Sequence, residues 1–174
     1  LGPYVAQRWR LEQLTINYRN PAEIAKLADQ VLAALDVDLI PPQSVRRTGE
    51  APRAVRVADL LDELPAVVVE EAAAVGDGRV AVLGPTASVD ELCKIVPTAS
   101  SDDLDAPVTV LTVAQAKGLE FDAVVLVDPA AIMAESPRGL NDLYVALTRT
   151  TRRLCIVHPG DFPEVLAKRI PGPV

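Results

Sequence analysis

Two short segments of the sequence place an arginine where it could contact a phosphate. In Asn17-Tyr18-Arg19-Asn20 a flat aromatic ring stands beside a fixed cation, so the pair could hold a base and a phosphate. Residues 141–150 carry apolar side chains on one helical face, which leaves Arg149 near the helix end, free to reach a ligand. Each has a plainer interpretation: an ordinary turn, and a solvated arginine that favours the helix dipole.

A third segment, residues 112–122, adds polar atoms that could bind a nucleotide's sugar and phosphates. Lys117 supplies a cation, and Gly118 permits a positive φ or a close backbone approach. Glu120 and Asp122 supply carboxylates that could accept from ribose hydroxyls or organise the loop. A Lys-Gly pair alone is common, whereas the run Lys-Gly-Leu-Glu-Phe-Asp between two aliphatic strands is far more specific.

The elements that must position these segments follow from the apolar pattern, in which strand-like runs alternate with helical ones. The expected strands are Leu11–Ile16, Ala54–Val57, Arg79–Leu83, Val108–Val113, Ala123–Val127 and Leu154–Val157. The expected helices are Ala22–Leu35, Leu60–Val75, a short one capped by Ser88 and ending at Ile95, Pro137–Thr150, and Phe162–Arg169. Ile40–Pro52 and Thr98–Pro107 are expected to be loops.

This alternation predicts one α/β domain over residues 1–174, doubly wound, with a mainly parallel sheet and helices on both faces. Glu91 is expected to complete a capping box with Ser88. Ligands of such sheets bind beyond the carboxyl ends of the strands, so we expect the chemistry in the loops that follow the strands.

The composition narrows the function classes. Aliphatic residues dominate a hydrophobic fraction of 49%, and the net charge of −7 gives no global basic surface for nucleic acid. Cys93 and Cys155 lie far apart and His158 is the one histidine, so a metal site is not expected. Both thiols are expected to be small buried hydrophobes in a reducing cytoplasm, and no apolar run is long enough for a membrane span.

In chain order, the three segments resemble motifs IV, V and VI of the UvrD-like superfamily 1 helicases, commonly written NYRS, TxHxxKGLEFD and VALTRA. On this resemblance the region from Leu14 to Val157 is identified as the family's second, C-terminal RecA-like lobe. The implied fold is a RecA-like domain of the P-loop NTPase type. The implied function is one motor lobe of an ATP-dependent DNA helicase or translocase.

The resemblance implies that Arg19 and Arg149 are catalytic and contact the γ-phosphate of ATP across the interface between two lobes. Tyr18 would stack on adenine and Glu120 would accept from the ribose. The full nucleotide-binding set that it implies is Tyr18, Arg19, Lys117, Gly118, Glu120 and Arg149, with the lysine and glycine shaping the loop that carries the glutamate.

The parts that this chain does not supply are expected on the first RecA-like lobe of the same parent protein. No GxxxxGK[ST] phosphate loop occurs in the sequence. ATP with Mg²⁺ would therefore be bound mainly by that first lobe, and the present fragment, which opens on Leu1-Gly2-Pro3 like a cut end, is expected to be inactive alone.

Two departures from the family pattern favour a helicase-IV-like or HelD-like branch. The usual histidine of motif V is Ala114 here, and the small polar residue before the lysine is Ala116. From Arg19 to Lys117 there are only 117 − 19 = 98 positions, which leaves no room for a large inserted domain. Members of that branch include motors that act on RNA polymerase.

Three functions therefore stay open from the sequence. The first is a lobe that drives translocation or unwinding of DNA, with single-stranded DNA as the expected partner. Its rival is a lobe whose load is a protein assembly such as RNA polymerase, which the acidic balance and Ala114 favour. A degenerate, non-enzymatic binding domain is the third, and retention of both Arg19 and Arg149 argues against it.

Overall fold

The computed structural model describes residues 15–35, 41–47, 50–101, 103–167 and 170. In these ranges the strands are β1 (Ile16–Asn17), β2 (Gln43–Ser44), β3 (Arg53–Arg56), β4 (Val80–Gly84), β5 (Ala99–Ser100), β6 (Val108–Thr112), β7 (Phe121–Val127) and β8 (Thr150–His158). The α-helices are α1 (Ala22–Ala34), α2 (Leu60–Val75), α3 (Val89–Ile95), α4 (Pro129–Ala134), α5 (Gly139–Leu147) and α6 (Glu164–Ala167).

Six of the strands form one parallel sheet in the order β3-β8-β7-β4-β6-β5. Its centre is aliphatic on both faces: all five residues of β4 are buried, as are six of the seven in β7. Strands that read as continuous Val, Leu and Ala runs are those buried on both sides of a parallel sheet. The predicted α/β architecture is confirmed.

Helices cover both faces of this sheet, and each face has its own apolar core. On one face α1, α4, α5 and α6 pack on alternate strand residues, with Ile24, Leu126, Leu143 and Ile156 at the centre. On the other face α2 and α3 pack on the intervening residues. Two-residue periodicity along a strand therefore assigns successive side chains to opposite cores.

Both segments expected to be loops contain a short strand. In the stretch Ile40–Pro52, β2 pairs in parallel with β1 as a separate two-stranded sheet. In Thr98–Pro107, β5 joins the edge of the main sheet beside β6. Two-residue strands carry no periodicity of their own, and tertiary pairing creates them, so the sequence pattern could not reveal them.

The expected helix Pro137–Thr150 is too long at both ends, and a helix before it was missed. Helix α4 begins directly after β7, with Asp128 accepting a hydrogen bond from the backbone N–H of Ala131 at 3.1 Å. Helix α5 begins at Gly139, where a Cβ atom would lie 1.9 Å from the carbonyl oxygen of Met133. Only glycine permits this close approach between the two helices.

Two further expectations are not met. Strand β8 begins at Thr150 rather than residue 154 because Thr150 pairs with the first residue of β7. Ser88 makes no side-chain cap bond at α3, so the expected capping box is wrong. The expected strand Leu11–Ile16 lies outside the described residues except at its end, as does the end of the expected helix Phe162–Arg169. Within the described ranges, no helix is both long and apolar enough to cross a membrane.

Candidate nucleotide-binding site

One open cavity of about 460 Å³ brings together residues from segments 17–20 and 141–150. Its lining includes the three expected side chains Tyr18, Arg19 and Arg149. The remaining lining residues are Ile16, Asn17, Asn20, Pro42, Tyr144 and Thr148. The cavity therefore lies between the turn after β1 and the end of α5, which are 130 positions apart in the chain (149 − 19 = 130).

This cavity lies at the amino edge of the main sheet, not at the carboxyl edge where ligands of parallel sheets are expected. Thr112 ends β6 in register with Gly84 at the carboxyl edge, but residues 113–120 then run back across one face of the sheet. They must do so because β7 is parallel to its neighbours and begins at the opposite edge. Glu120 precedes the first residue of β7 and Arg149 precedes the first residue of β8, which places both at the amino edge.

Arg19 and Glu120 form an ion pair at this edge. Their side chains are 46% and 43% exposed, so the pair is accessible to solvent and adds little stability. With Arg149 nearby, the cluster holds two guanidinium groups and one carboxylate. A surplus positive charge at an accessible site suits an anionic ligand.

Arg149 is held by neutral acceptors, which corrects the expectation that it is free. Its guanidinium donates to the carbonyl oxygens of Val145 at 3.1 Å and Leu119 at 3.3 Å, and to the Thr148 hydroxyl at 3.2 Å. Burial lowers the pKa of Arg149, and the positive charge of Arg19 lowers it further. Both effects destabilise the charged guanidinium, so an anion bound beside Arg149 would stabilise it.

Aromatic groups border the two arginines. The Tyr18 side chain is 71% exposed, so its ring is available for stacking. Tyr144 lines the same cavity but is half-buried, and burial raises the pKa of Tyr144, with the nearby Asp29 raising it further. Its position one residue beyond the inward-facing Leu143 gave no sequence signal that it would line the cavity.

The segment of residues 112–122 contributes Glu120 as the partner of Arg19, but Glu120, Lys117 and Gly118 are not among the residues that line the cavity. Lys117 is exposed. Gly118 adopts a φ of +86°, which confirms the expected left-handed backbone, and the position is otherwise open because an added Cβ would meet nothing within 4 Å. Gly118 thus turns the chain toward β7.

The two asparagines that flank Tyr18 and Arg19 were not expected to do more than form a turn. Asn17 accepts hydrogen bonds from the backbone N–H groups of Arg19 at 2.9 Å and Asn20 at 3.1 Å. Asn20 is 4% exposed and bonds to the chain around Arg149. The spacing of two asparagines three apart, directly before Pro21, is the local signal for such a turn.

A second cavity, of about 560 Å³, opens at the carboxyl edge of the sheet. Its lining residues are Thr86, Ala87, Val113, Ala114, Ile132, Glu135, Ser136 and Asp142. Glu135 accepts from the Thr86 backbone N–H and, at 3.0 Å, from the Thr86 hydroxyl. The lining thus combines apolar side chains with two carboxylates and contains neither lysine nor arginine.

Part of the sequence is similar to a known protein family. Residues 107–157 match the profile of the UvrD-like helicase C-terminal domain. Over this part of the chain the sequence is similar to that helicase domain. The matched stretch includes Glu120 and Arg149, whereas Tyr18 and Arg19 lie outside it.

The fold is also found in a solved structure. The crystal structure of the C-terminal domain of a possible DNA helicase from Lactobacillus plantarum WCFS1 has a TM-score of 0.61 at 24% identity. The similarity covers 90% of this chain and 95% of that one. The Sulfolobus solfataricus SWI2/SNF2 ATPase core in complex with double-stranded DNA has a TM-score of 0.44 at 15% identity, covering 87% of this chain and 34% of that one. The search of curated proteins found no significant match.

Proposed function

We propose that this lobe is the second motor lobe of an ATP-dependent superfamily 1 DNA helicase or translocase. The observation that carries the proposal is the cavity at which Arg19 and Arg149 meet beside the exposed ring of Tyr18. Two arginines from distant segments, one of them paired with Glu120, favour a phosphate group over a neutral ligand.

The chemistry we assign to the site is stabilisation of charge on the transferred phosphoryl group of ATP. Arg149 would exchange its bonds to neutral carbonyls for bonds to phosphate oxygens, which are stronger because both partners are charged. Arg19 would exchange Glu120 for phosphate, leaving Glu120 to accept from the ribose. Tyr18 would stack on the adenine, while Gly118, with Lys117, would shape the loop that presents Glu120.

We assign the remainder of the reaction to the first RecA-like lobe of the same protein. We expect this protein to act in the cytoplasm. That lobe would bind Mg²⁺ and the inner phosphates of ATP, so the present chain alone would be inactive. Because Arg19 and Arg149 would reach the γ-phosphate from the opposite lobe, closure of the two lobes would depend on that phosphate. Cycles of closure and opening would then move the protein along single-stranded DNA.

The test is the ATPase rate of the two-lobe protein with and without single-stranded DNA. We expect Arg149→Ala to lower kcat by about 10³-fold or more, the magnitude typical of an arginine that contacts the transferred phosphoryl. Arg56→Ala is the matched control, because Arg56 is an exposed arginine on the edge strand β3, away from the cavity. Hydrolysis that survives Arg149→Ala unchanged would refute the assigned role.

A second candidate, an ATP-driven remodeller of a protein assembly such as RNA polymerase, is favoured by the carboxyl-edge cavity. Ala114 lies in its lining with Glu135 and Asp142. That lining contains neither lysine nor arginine to bind a DNA phosphate. The same assay separates the two functions. Stimulation by DNA supports the DNA motor, whereas Arg149-dependent hydrolysis that ignores DNA supports a protein load and directs the next test to RNA polymerase.

A further inference from the structure

We propose that Asn20 is a positioning residue that sets Arg149 against Arg19, an inference that rests on the function proposed above. Its side-chain amide donates to the carbonyl oxygens of Thr148 at 3.1 Å and Thr150 at 2.8 Å, the residues on either side of Arg149. The Arg149 carbonyl between them accepts from the backbone N–H of Phe121 at 3.0 Å. Three consecutive carbonyls around the arginine are therefore fixed.

The same amide also fixes the backbone that carries Arg19. Its oxygen accepts from the Asn17 side chain at 3.1 Å, and the oxygen of Asn17 accepts from the Arg19 N–H at 2.9 Å. The hydroxyl of Ser44 on β2 donates to the Asn20 carbonyl at 2.6 Å. One buried side chain thus links the two arginine-bearing segments directly.

This link bears on catalysis because the two arginines are anchored in different ways. The guanidinium of Arg19 is tied to Glu120, whereas that of Arg149 bonds to uncharged groups alone among the residues that the structure describes. When phosphate displaces those bonds, the position of Arg149 depends on its backbone. A displacement of about 1 Å in a catalytic group costs up to roughly 100-fold in rate.

The discriminating variant is Asn20→Asp in the two-lobe protein. It keeps the size of the side chain but replaces the amide N–H₂, which donates to both carbonyls, with an acceptor that repels them. Gln43→Glu is the control, since it adds the same charge at an exposed position on the neighbouring β2. The readout is the affinity for β,γ-imido-ATP divided by the affinity for ADP, measured together with kcat and the melting temperature.

A positioning role predicts that Asn20→Asp lowers this affinity ratio and kcat by about 10-fold or more, with the affinity for ADP retained. In the Arg149→Ala background, Asn20→Asp then has no further effect on the ratio. A purely structural role instead lowers both affinities and the melting temperature together, leaves the ratio unchanged, and overturns the proposal. If Asn20→Asp does not fold, Asn20→Ser, which adds no charge, is judged by the same ratio.

Failure of this inference is distinguishable from failure of the proposed function. If Arg149→Ala lowers the ratio and the Asn20 variants do not, Asn20 has no positioning role and the motor function stands. If Arg149→Ala itself leaves the ratio unchanged, the assignment of the γ-phosphate contact is wrong.

Discussion

Replacement of Glu71 is expected to destabilise the protein far more than replacement of its neighbour Glu70. Glu71 lies on α2 and is 1% exposed. One of its carboxylate oxygens accepts from Nε of Arg53 at 2.8 Å, and the other accepts from Nε of Arg153 at 2.7 Å. It thereby ties the helix to the adjacent strands β3 and β8, and its hydrogen bond raises the pKa of Arg153.

The expected magnitude follows from these two bonds. In Glu71→Gln the amide retains one acceptor but turns an N–H₂ group toward the second guanidinium. One charge-assisted bond is lost, at about 1.5–3 kcal/mol, and a guanidinium is left without its buried counter-charge. We therefore expect the free energy of unfolding to fall by about 3 kcal/mol. For a chain of 174 residues this corresponds to a melting temperature lower by roughly 6–12 °C.

Glu70→Gln supplies the comparison because the same substitution occurs one position away. Glu70 also pairs with Arg53, at 2.9 Å, but its side chain is 61% exposed, so its loss should cost less than about 1 kcal/mol. Both variants would be measured by urea unfolding of the chain. Equal destabilisation by the two substitutions, or a loss below about 1 kcal/mol for Glu71→Gln, would refute the reasoning that burial makes the pair matter.

Two further expectations concern the thiols and the helix caps. Cys155 is buried as expected, whereas Cys93 is only partly buried, which corrects the expectation for that thiol. Burial raises the pKa of Cys155 to about 12, so its thiolate is nearly absent at pH 8. A disulfide reagent should therefore label Cys93 alone in the folded protein, and equal rates for both thiols would contradict this. Asp59 accepts from two backbone N–H groups at the start of α2, so Asp59→Ala should cost about 1 kcal/mol in denaturant unfolding. Ser88→Ala at α3, where no side-chain cap bond exists, should change stability by less than about 0.5 kcal/mol.

The Glu70–Glu71 pair illustrates how far the sequence could predict this structure. Helix α2 and its end at Gly76, which has a φ of +63°, follow from apolar spacing and from the glycine. Which of two adjacent glutamates is buried depends on the partners that β3 and β8 bring to that face. Arg53 and Arg153 lie 100 positions apart (153 − 53 = 100), and no local pattern relates them.

The candidate site, too, could be predicted only in part from the sequence. Tyr18, Arg19 and Arg149 could be selected from their types and motif context, and the structure gathers them at one cavity. Their location at the amino edge of the sheet could not be predicted, because ligands of parallel sheets generally bind at the carboxyl edge. The exception arises because residues 113–120 return across the sheet before β7 begins.

What decides the geometry of the site is a set of side-chain bonds to backbone groups of remote segments. Asn20 bonds to carbonyls 128 and 130 positions away, and Arg149 bonds to the carbonyl of Leu119, 30 positions away. The residue type shows that an asparagine or arginine can make such bonds, but it does not show which backbone groups will be the partners. A motif therefore identifies the groups that could do the chemistry, while their separation is set by residues that the motif gives no reason to single out.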